Sequence, residues 1–285
     1  MKKDSIKDYL KNKFPNSVVS FIGEGWTSYA FSVDNEIFRF PKYSIEWYER
    51  ESQILSIVKK FVKIEIPEIT IINDNGLDYS VHRPIAGKHW SLQEYENLKK
   101  AQQDNFANDC ANFLYDLHRI PLDEFKYLKP KPYPAKPKFR EKEEIYPLLL
   151  RHIPQDVMDK IYNKYRIVCE KFVPDIVFLH KDFEGKNSVV NNEYRLSGVF
   201  DFGNSDLGDR TREFAFLYNP EYPKFLTDLL IAYEKVSGIK INIEDVKNYM
   251  FRSIINSMPE LYDPELASIQ QEVVKKRCKK IMFFA

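Results

Sequence analysis

The chain has 285 residues, 44% of them hydrophobic and 30% charged, with 43 Lys and Arg against 42 Asp and Glu. That length suits two lobes sharing a cleft, and a net charge of +1 provides no field for recruiting nucleic acid. No apolar run of about 18 residues interrupts the pattern, which argues against a membrane span. The opening MKKDSIKDYLKNKF has lysines but neither an apolar segment nor a small-residue cleavage site, so a cytoplasmic monomer is expected. Cys110, Cys169 and Cys278 lack any C-x-x-C spacing and are expected to be core thiols.

Apolar residues at Ile6, Tyr9, Leu10 and Phe14 have helical spacing and predict a short amphipathic helix over residues 5–14. Strands are predicted at 18–22, 28–33 and 36–40, separated by a tight turn at Gly23-Glu24-Gly25 and another at Asp34-Asn35. A glycine turn of this kind can lay backbone N–H groups over an anion, although G-x-G has many innocent uses in hairpins. Residues 44–61 read as a helix with Trp47, Ile54, Leu55 and Val58 on one side. Strands at 68–72 and 78–83, joined by a turn at 73–76, complete an antiparallel five-stranded sheet, and Pro84-Ile85-Ala86-Gly87 follows as a connector.

Beyond the connector the pattern becomes helical, at 91–99 and at 104–118, where Phe106, Cys110, Phe113, Leu114 and Leu117 share a face. His82, His89 and His118 have no partners at metal-ligating spacing and are expected to be hinge, surface or core residues. Residues 127–138 alternate Lys and Pro and cannot be regular helix. Helices are predicted at 141–150, 155–172, 212–218, 222–236, 243–257 and 264–281.

Residues 178–213, FLHKDFEGKNSVVNNEYRLSGVFDFGNSDLGDRTRE, carry the chemistry. A short apolar strand ends in His180-Lys181-Asp182, and Asn187 follows Asp182 by five positions. Apolar runs at 188–190 and 196–200 flank an Asn191-Asn192-Glu193 turn, so a hairpin delivers Asp201-Phe202-Gly203 to the end where Asp182 and Asn187 lie. Taken singly, each of these is an ordinary turn residue. Taken together, two carboxylates and an amide oxygen are the set that phosphoryl transfer requires. Asn187 and Asp201 suit Mg²⁺, a hard ion that keeps several waters. Asp182, left free of metal, can orient an acceptor hydroxyl and accept its proton.

The pattern H-x-D-x-x-x-x-N, hairpin, D-F-G resembles the aminoglycoside phosphotransferase family, antibiotic kinases with a protein-kinase-like fold, and in particular the branch that modifies the 2″-hydroxyl. The resemblance implies an α+β architecture: a β-rich N-lobe at 1–83, a hinge at 84–90 and a helical C-lobe at 91–285. It implies Mg²⁺ and ATP or GTP as cofactors, with Gly23 and Gly25 near the phosphates, and Ser28 stands where kinases often have a third glycine. Backbone around His82, Pro84 and Ala86 would hold the base. The family's phosphate-gripping lysine is replaced by Arg39, paired with Glu51, and Lys42 is the alternative grip. The run from Gly208-Asp209 to Glu213 looks like the family's acidic turn.

An acceptor site for a small cationic molecule is expected near Asp206, Asp209, Glu213, Glu260 and Asp263, with Glu141, Glu143 and Glu144 as further candidates. From 181 to 270 there are 15 acids against 10 bases, which suits such an acceptor. A macrolide kinase, a kinase of choline-like or amino-sugar metabolites, and a nucleotide-binding pseudokinase share the motif. A protein kinase fits less well, because no A-P-E-like motif closes a segment after Gly203.

Overall fold

The computed structural model describes residues 2–25, 27–128, 139–259 and 267–284. Its first part is an antiparallel sheet of β1 (Val19–Glu24), β2 (Ser28–Val33), β3 (Glu36–Pro41), β4 (Thr70–Asp74) and β5 (Leu77–His82), in the order β1-β2-β3-β5-β4. Alternation along the strands puts Phe31, Val33, Phe38, Phe40, Tyr79 and Val81 on one face, where they are buried. The helix α1 (Lys3–Lys13) covers that face with Ile6 and Leu10. Phe40 stacks on Tyr79 with ring centroids 5.1 Å apart. Arg39, between two buried phenylalanines, therefore points to the opposite face, toward the helix α2 (Glu46–Val58).

The glycine turn is displaced from its expected place. Gly23 and Glu24 lie within β1, opposite Ala30 and Tyr29, after a bulge that leaves Ile22 without a partner. The extra residue lets the ladder run on two more pairs, and the Gly25 N–H then donates to the Ser28 carbonyl at 2.9 Å.

The second part is helical: α3 (Leu92–Glu96), α4 (Lys100–His118), α5 (Lys142–Leu149), α6 (Gln155–Lys171), α7 (Thr211–Ala215), α8 (Lys224–Ser237), α9 (Ile243–Asn256) and α10 (Ala267–Phe284). Short strands β6 (Ile176–Leu179), β7 (Ser188–Val190), β8 (Leu196–Val199) and β9 (Asp206–Asp209) interrupt it, with β7 pairing β8 as a hairpin and β6 pairing β9. The sequence pattern did not anticipate β9. Its residues, Asp-Leu-Gly-Asp, have no strand propensity, and pairing with β6 imposes the conformation. Most of the Lys-Pro segment, 129–138, lies outside the described residues.

The larger core, centred on α4 and α8, takes in Ile54, Leu55 and Val58 of α2 as well as Ile66. α2 thus packs its apolar face on the helical body while Glu51 reaches Arg39 on the sheet. Because α1 closes the outer face of the sheet, Leu10→Ala should cost about 2–4 kcal/mol of stability, read as a lower urea midpoint with an unchanged slope.

Candidate active site

Between β6 and β7 the chain forms the loop that carries His180, Asp182 and Asn187, and the end of β8 carries Asp201. Hydrogen bonds lock the two segments together. The Nδ1 of His180 accepts from the Asp182 N–H at 3.3 Å, which leaves its Nε2–H to donate to the Phe200 carbonyl at 3.0 Å. The ring is fully buried, and burial holds its pKa below the usual imidazole value, consistent with this neutral tautomer. The Phe200 N–H donates to the Asn187 carbonyl at 2.9 Å. Asn187 also turns its side-chain NH₂ to the Asp182 carbonyl at 2.9 Å, which leaves the amide oxygen as its coordinating atom.

Asp201 and Lys181 both adopt the left-handed conformation, at φ 65° and 68°. Such strain at non-glycine residues persists only where neighbours over-determine it. Burial raises the Asp201 carboxyl to about 6, reinforced by the negative charge of Glu51 and Asp182 and opposed by Arg39. Lys186 opposes it as well, so the charges around Asp201 largely offset one another and burial is the larger cause. Gly185, in the same loop, has no room for a side chain, since a Cβ there would overlap the Trp90 carbonyl. A Cβ on Gly23 would meet nothing within 4 Å.

Arg39 and Glu51 form the expected ion pair, Nη2 to Oε2 at 2.7 Å and Nη1 to Oε1 at 3.4 Å, and Nε of Arg39 donates to Ser80 Oγ at 3.3 Å. Lys42 is instead paired with Glu24 and sits over the Tyr29 ring. The Gly25 N–H already donates to the Ser28 carbonyl at 2.9 Å, so it does not face an anion. In the connector, the Ala86 carbonyl accepts from Ser197 Oγ at 3.0 Å, and Lys88 exchanges both backbone hydrogen bonds with Val190, which fastens the hinge to the β7–β8 hairpin. His82 sits at the end of β5 beside Pro84, its Nδ1 3.0 Å from the Arg83 carbonyl. A groove of about 790 Å³ borders Phe14, Phe38, Tyr79 and Val81 on the α1 side of the sheet, and none of Asp182, Asn187 or Asp201 lines it.

The expected acceptor acids need correction. Glu213 is buried, and its carboxylate accepts from the backbone N–H groups of His180 at 2.7 Å and Lys181 at 3.0 Å. Burial alone would raise its pKa, but His118, His180 and these N–H donors hold it below the usual range. Gly208-Asp209 is the end of a strand rather than a turn, and Asp209 accepts from the N–H groups of Asp175 and Thr211 at 2.8 and 3.0 Å. Asp206 faces Arg50 at 3.4 Å and Lys181 at 3.6 Å. All three acids hold the protein together, because each lies beside donors that the fold would otherwise leave unpaired. Glu260 and Asp263 lie outside the described residues. On α5, Glu141 and Glu144 form a capping box, and Glu144 pairs with Arg140 at 3.0 Å.

Three basic residues of this region escaped the sequence reading. Arg50 is buried and donates to the Ser205 carbonyl at 2.9 Å, just past the Asp-Phe-Gly turn. Burial lowers the Lys181 ammonium to about 8 beside Asp206. Lys186 brings its Nζ within 3.7 Å of Asp182 Oδ1. Only Lys186 left a signal, its place inside the loop between Asp182 and Asn187.

An antiparallel sheet ahead of a helical body, with this loop and hairpin where the two meet, defines the protein-kinase-like class of phosphotransferase. The family model described as "Phosphotransferase enzyme family" matches residues 18–243, and the chain belongs to that family. Among solved structures, the GDP complex of wild-type aminoglycoside 2'-phosphotransferase-IIIa is similar with a TM-score of 0.78 at 17% identity, over 99% of each chain. A GDP and kanamycin complex of APH(2")-IIIa gives 0.73 at 18%, over 96% of this chain and 98% of that one. ADP-bound APH(2'')-Ib gives 0.71 at 20%, over 99% and 98%. These likenesses establish the fold. No helix among the described residues is long and apolar enough to cross a membrane.

Two outcomes test the site's electrostatics. Removing the Glu213 carboxylate, Glu213→Ala, strands two buried N–H donors and should cost on the order of 2–4 kcal/mol by chemical denaturation. For Asp201 the folded pKa lies above the unfolded one, so the ionised group costs stability above about pH 6, and the cost fades as pH falls toward 4. Asp201→Asn should therefore raise the melting temperature of the metal-free protein at about pH 8, a gain on the order of 1–2 kcal/mol once solvent screening is allowed for, and should raise it little at about pH 4.

Proposed function

We propose that the chain transfers the γ-phosphoryl group of ATP or GTP to a hydroxyl of a small cationic molecule, an aminoglycoside being the favoured acceptor. The observation that carries this reading is the joining of the Asp182–Asn187 loop to the Asp201 turn through His180 and the Asn187 backbone. Residues 1–83 would serve as the nucleotide-holding lobe, 84–90 as the hinge and 91–285 as the acceptor lobe.

In this mechanism Asp201 and the amide oxygen of Asn187 hold Mg²⁺. The fit rests on Asn187 having its NH₂ already engaged and on the donor set itself, a carboxylate with an amide oxygen. Such an ion would supply positive charge to offset the negative charge of the transferring phosphoryl group, and Asp201 and Asn187 would be the residues that hold it. Arg39 keeps N–H groups for the phosphates while Glu51 fixes its fork, and the backbone around Gly23 and the hinge from His82 through Pro84 to Ala86 orient the rest of the nucleotide. Asp182 orients the acceptor hydroxyl and takes its proton.

The similar enzymes were solved with GDP, ADP and kanamycin, which supports a nucleoside triphosphate donor and an aminoglycoside acceptor. Since Asp206, Asp209 and Glu213 are engaged internally, the carboxylates that would meet a polycation are sought at Glu143, Glu260 and Asp263. A second reading, a nucleotide-binding pseudokinase, draws on Arg39, whose fork is closed on Glu51.

Mg²⁺-dependent transfer from ATP and GTP to a panel of aminoglycosides, macrolides, choline and amino sugars separates these readings. The expected result is turnover on an aminoglycoside that falls by about 10²–10⁴-fold in Asp182→Asn while nucleotide affinity holds. Nucleotide binding without turnover on any acceptor would favour the pseudokinase.

A further inference from the structure

Arg252, on α9, is unlike the other buried arginines. Arg39 is matched by Glu51 and Arg50 by the Ser205 carbonyl and Asp206. Arg252 is only 8% exposed, yet among the described residues no hydrogen bond or ion pair reaches its guanidinium. Aromatic rings hold it instead: its Cζ lies 3.4 Å from the centre of the Phe172 ring and 4.8 Å from that of Tyr249. Stacking satisfies the faces of a guanidinium and leaves its N–H edge without an acceptor.

That arginine lines a cavity of about 500 Å³ between α6 and α9, a volume suited to a small ligand. Lys164 and Lys171 line it from α6, with Asp245 and Asn248 from α9. Asp209 also borders it, but its oxygens accept the N–H groups of Asp175 and Thr211. Arg252 and Lys171 face Asp245 and the already hydrogen-bonded Asp209 across this wall, and the guanidinium edge without an acceptor is what suits it to an anion. The cavity is separate from the catalytic loop. Asp209 pairs with Ile176 at one end of the β6–β9 ladder, whereas Leu179, which leads into the loop, pairs with Asp206 at the other.

We infer that this cavity is a second binding site, which receives the carboxylate or phosphate group of a small anionic molecule on the edge of the Arg252 guanidinium. A rigid fork held against the Phe172 ring, with Tyr249 to one side, can pair with either oxyanion through two parallel N–H···O bonds. Phe172 and Tyr249 supply an apolar wall for the rest of the ligand, and Lys171 stands over it at the exposed end of α6.

The test uses the full chain with inorganic phosphate and with succinate as probes, by calorimetry and by thermal shift, on wild type, Arg252→Met and Lys171→Met. At least one probe should bind wild type and raise its melting temperature, and affinity should fall at least about tenfold in Arg252→Met. Without a probe, Arg252→Met should melt no lower than wild type, since methionine fills the space over Phe172 without a buried charge. Which probe binds tells phosphate from carboxylate. Failure of both to bind wild type overturns the inference, as does equal affinity in Arg252→Met, which would place the bound anion elsewhere. Should Arg252→Met not fold, undiminished binding in Lys171→Met overturns it equally.

Discussion

The site depends on two consecutive charges that α2 buries side by side. Arg50 and Glu51 are each 3% exposed, and successive helical positions point them in different directions. Glu51 reaches back to Arg39 on β3, while Arg50 reaches forward to the Ser205 carbonyl behind the Asp-Phe-Gly turn. Neither charge tolerates burial alone. The helix is therefore seated only where both partners are in place, and that seating sets the sheet against the turn that bears Asp201.

A second buried acid does for the catalytic loop what Glu51 does for β3. Glu213 takes the first two N–H groups of the loop, and His118 stands 3.8 Å from it with its other nitrogen bonded to Tyr233. His180, neutral and enclosed, passes this constraint on to the end of β8. Strained backbone at Lys181 and Asp201 is held between these anchors and the buried rings of Phe183 and Phe202, which together give the loop a fixed geometry.

Much of this was legible in the chain. The strand runs at 28–33 and 36–40, set off by turns, and the helical spacing within 104–118 agree with β2, β3 and α4, because both signals are local. The spacing of Asp182, Asn187 and Asp201 was legible for the same reason, a hairpin being a local structure. The Arg39–Glu51 pair agreed with its expectation too. Errors arose where distant segments decide. Gly23 and Glu24 read as a turn until a bulge drew them into β1, and Asp-Leu-Gly-Asp became a strand through pairing with β6. Asp209 and Glu213 were expected near the acceptor because the family resemblance puts acceptor specificity in the region after the metal-binding strand. Their burial follows from unpaired backbone donors that only the assembled fold creates.

By itself, the sequence determined which elements form and which residue types stand ready for phosphoryl transfer, since periodicity, turn chemistry and motif spacing act over a few neighbouring residues. The tertiary structure decided which charges are spent on holding the fold and which remain for a ligand. Asp206, Asp209, Glu213 and Arg50 are committed internally, whereas Arg252 is buried with no acid paired to it among the described residues. That division depends on desolvation and on partners far away in the chain, neither of which any local pattern of residues encodes.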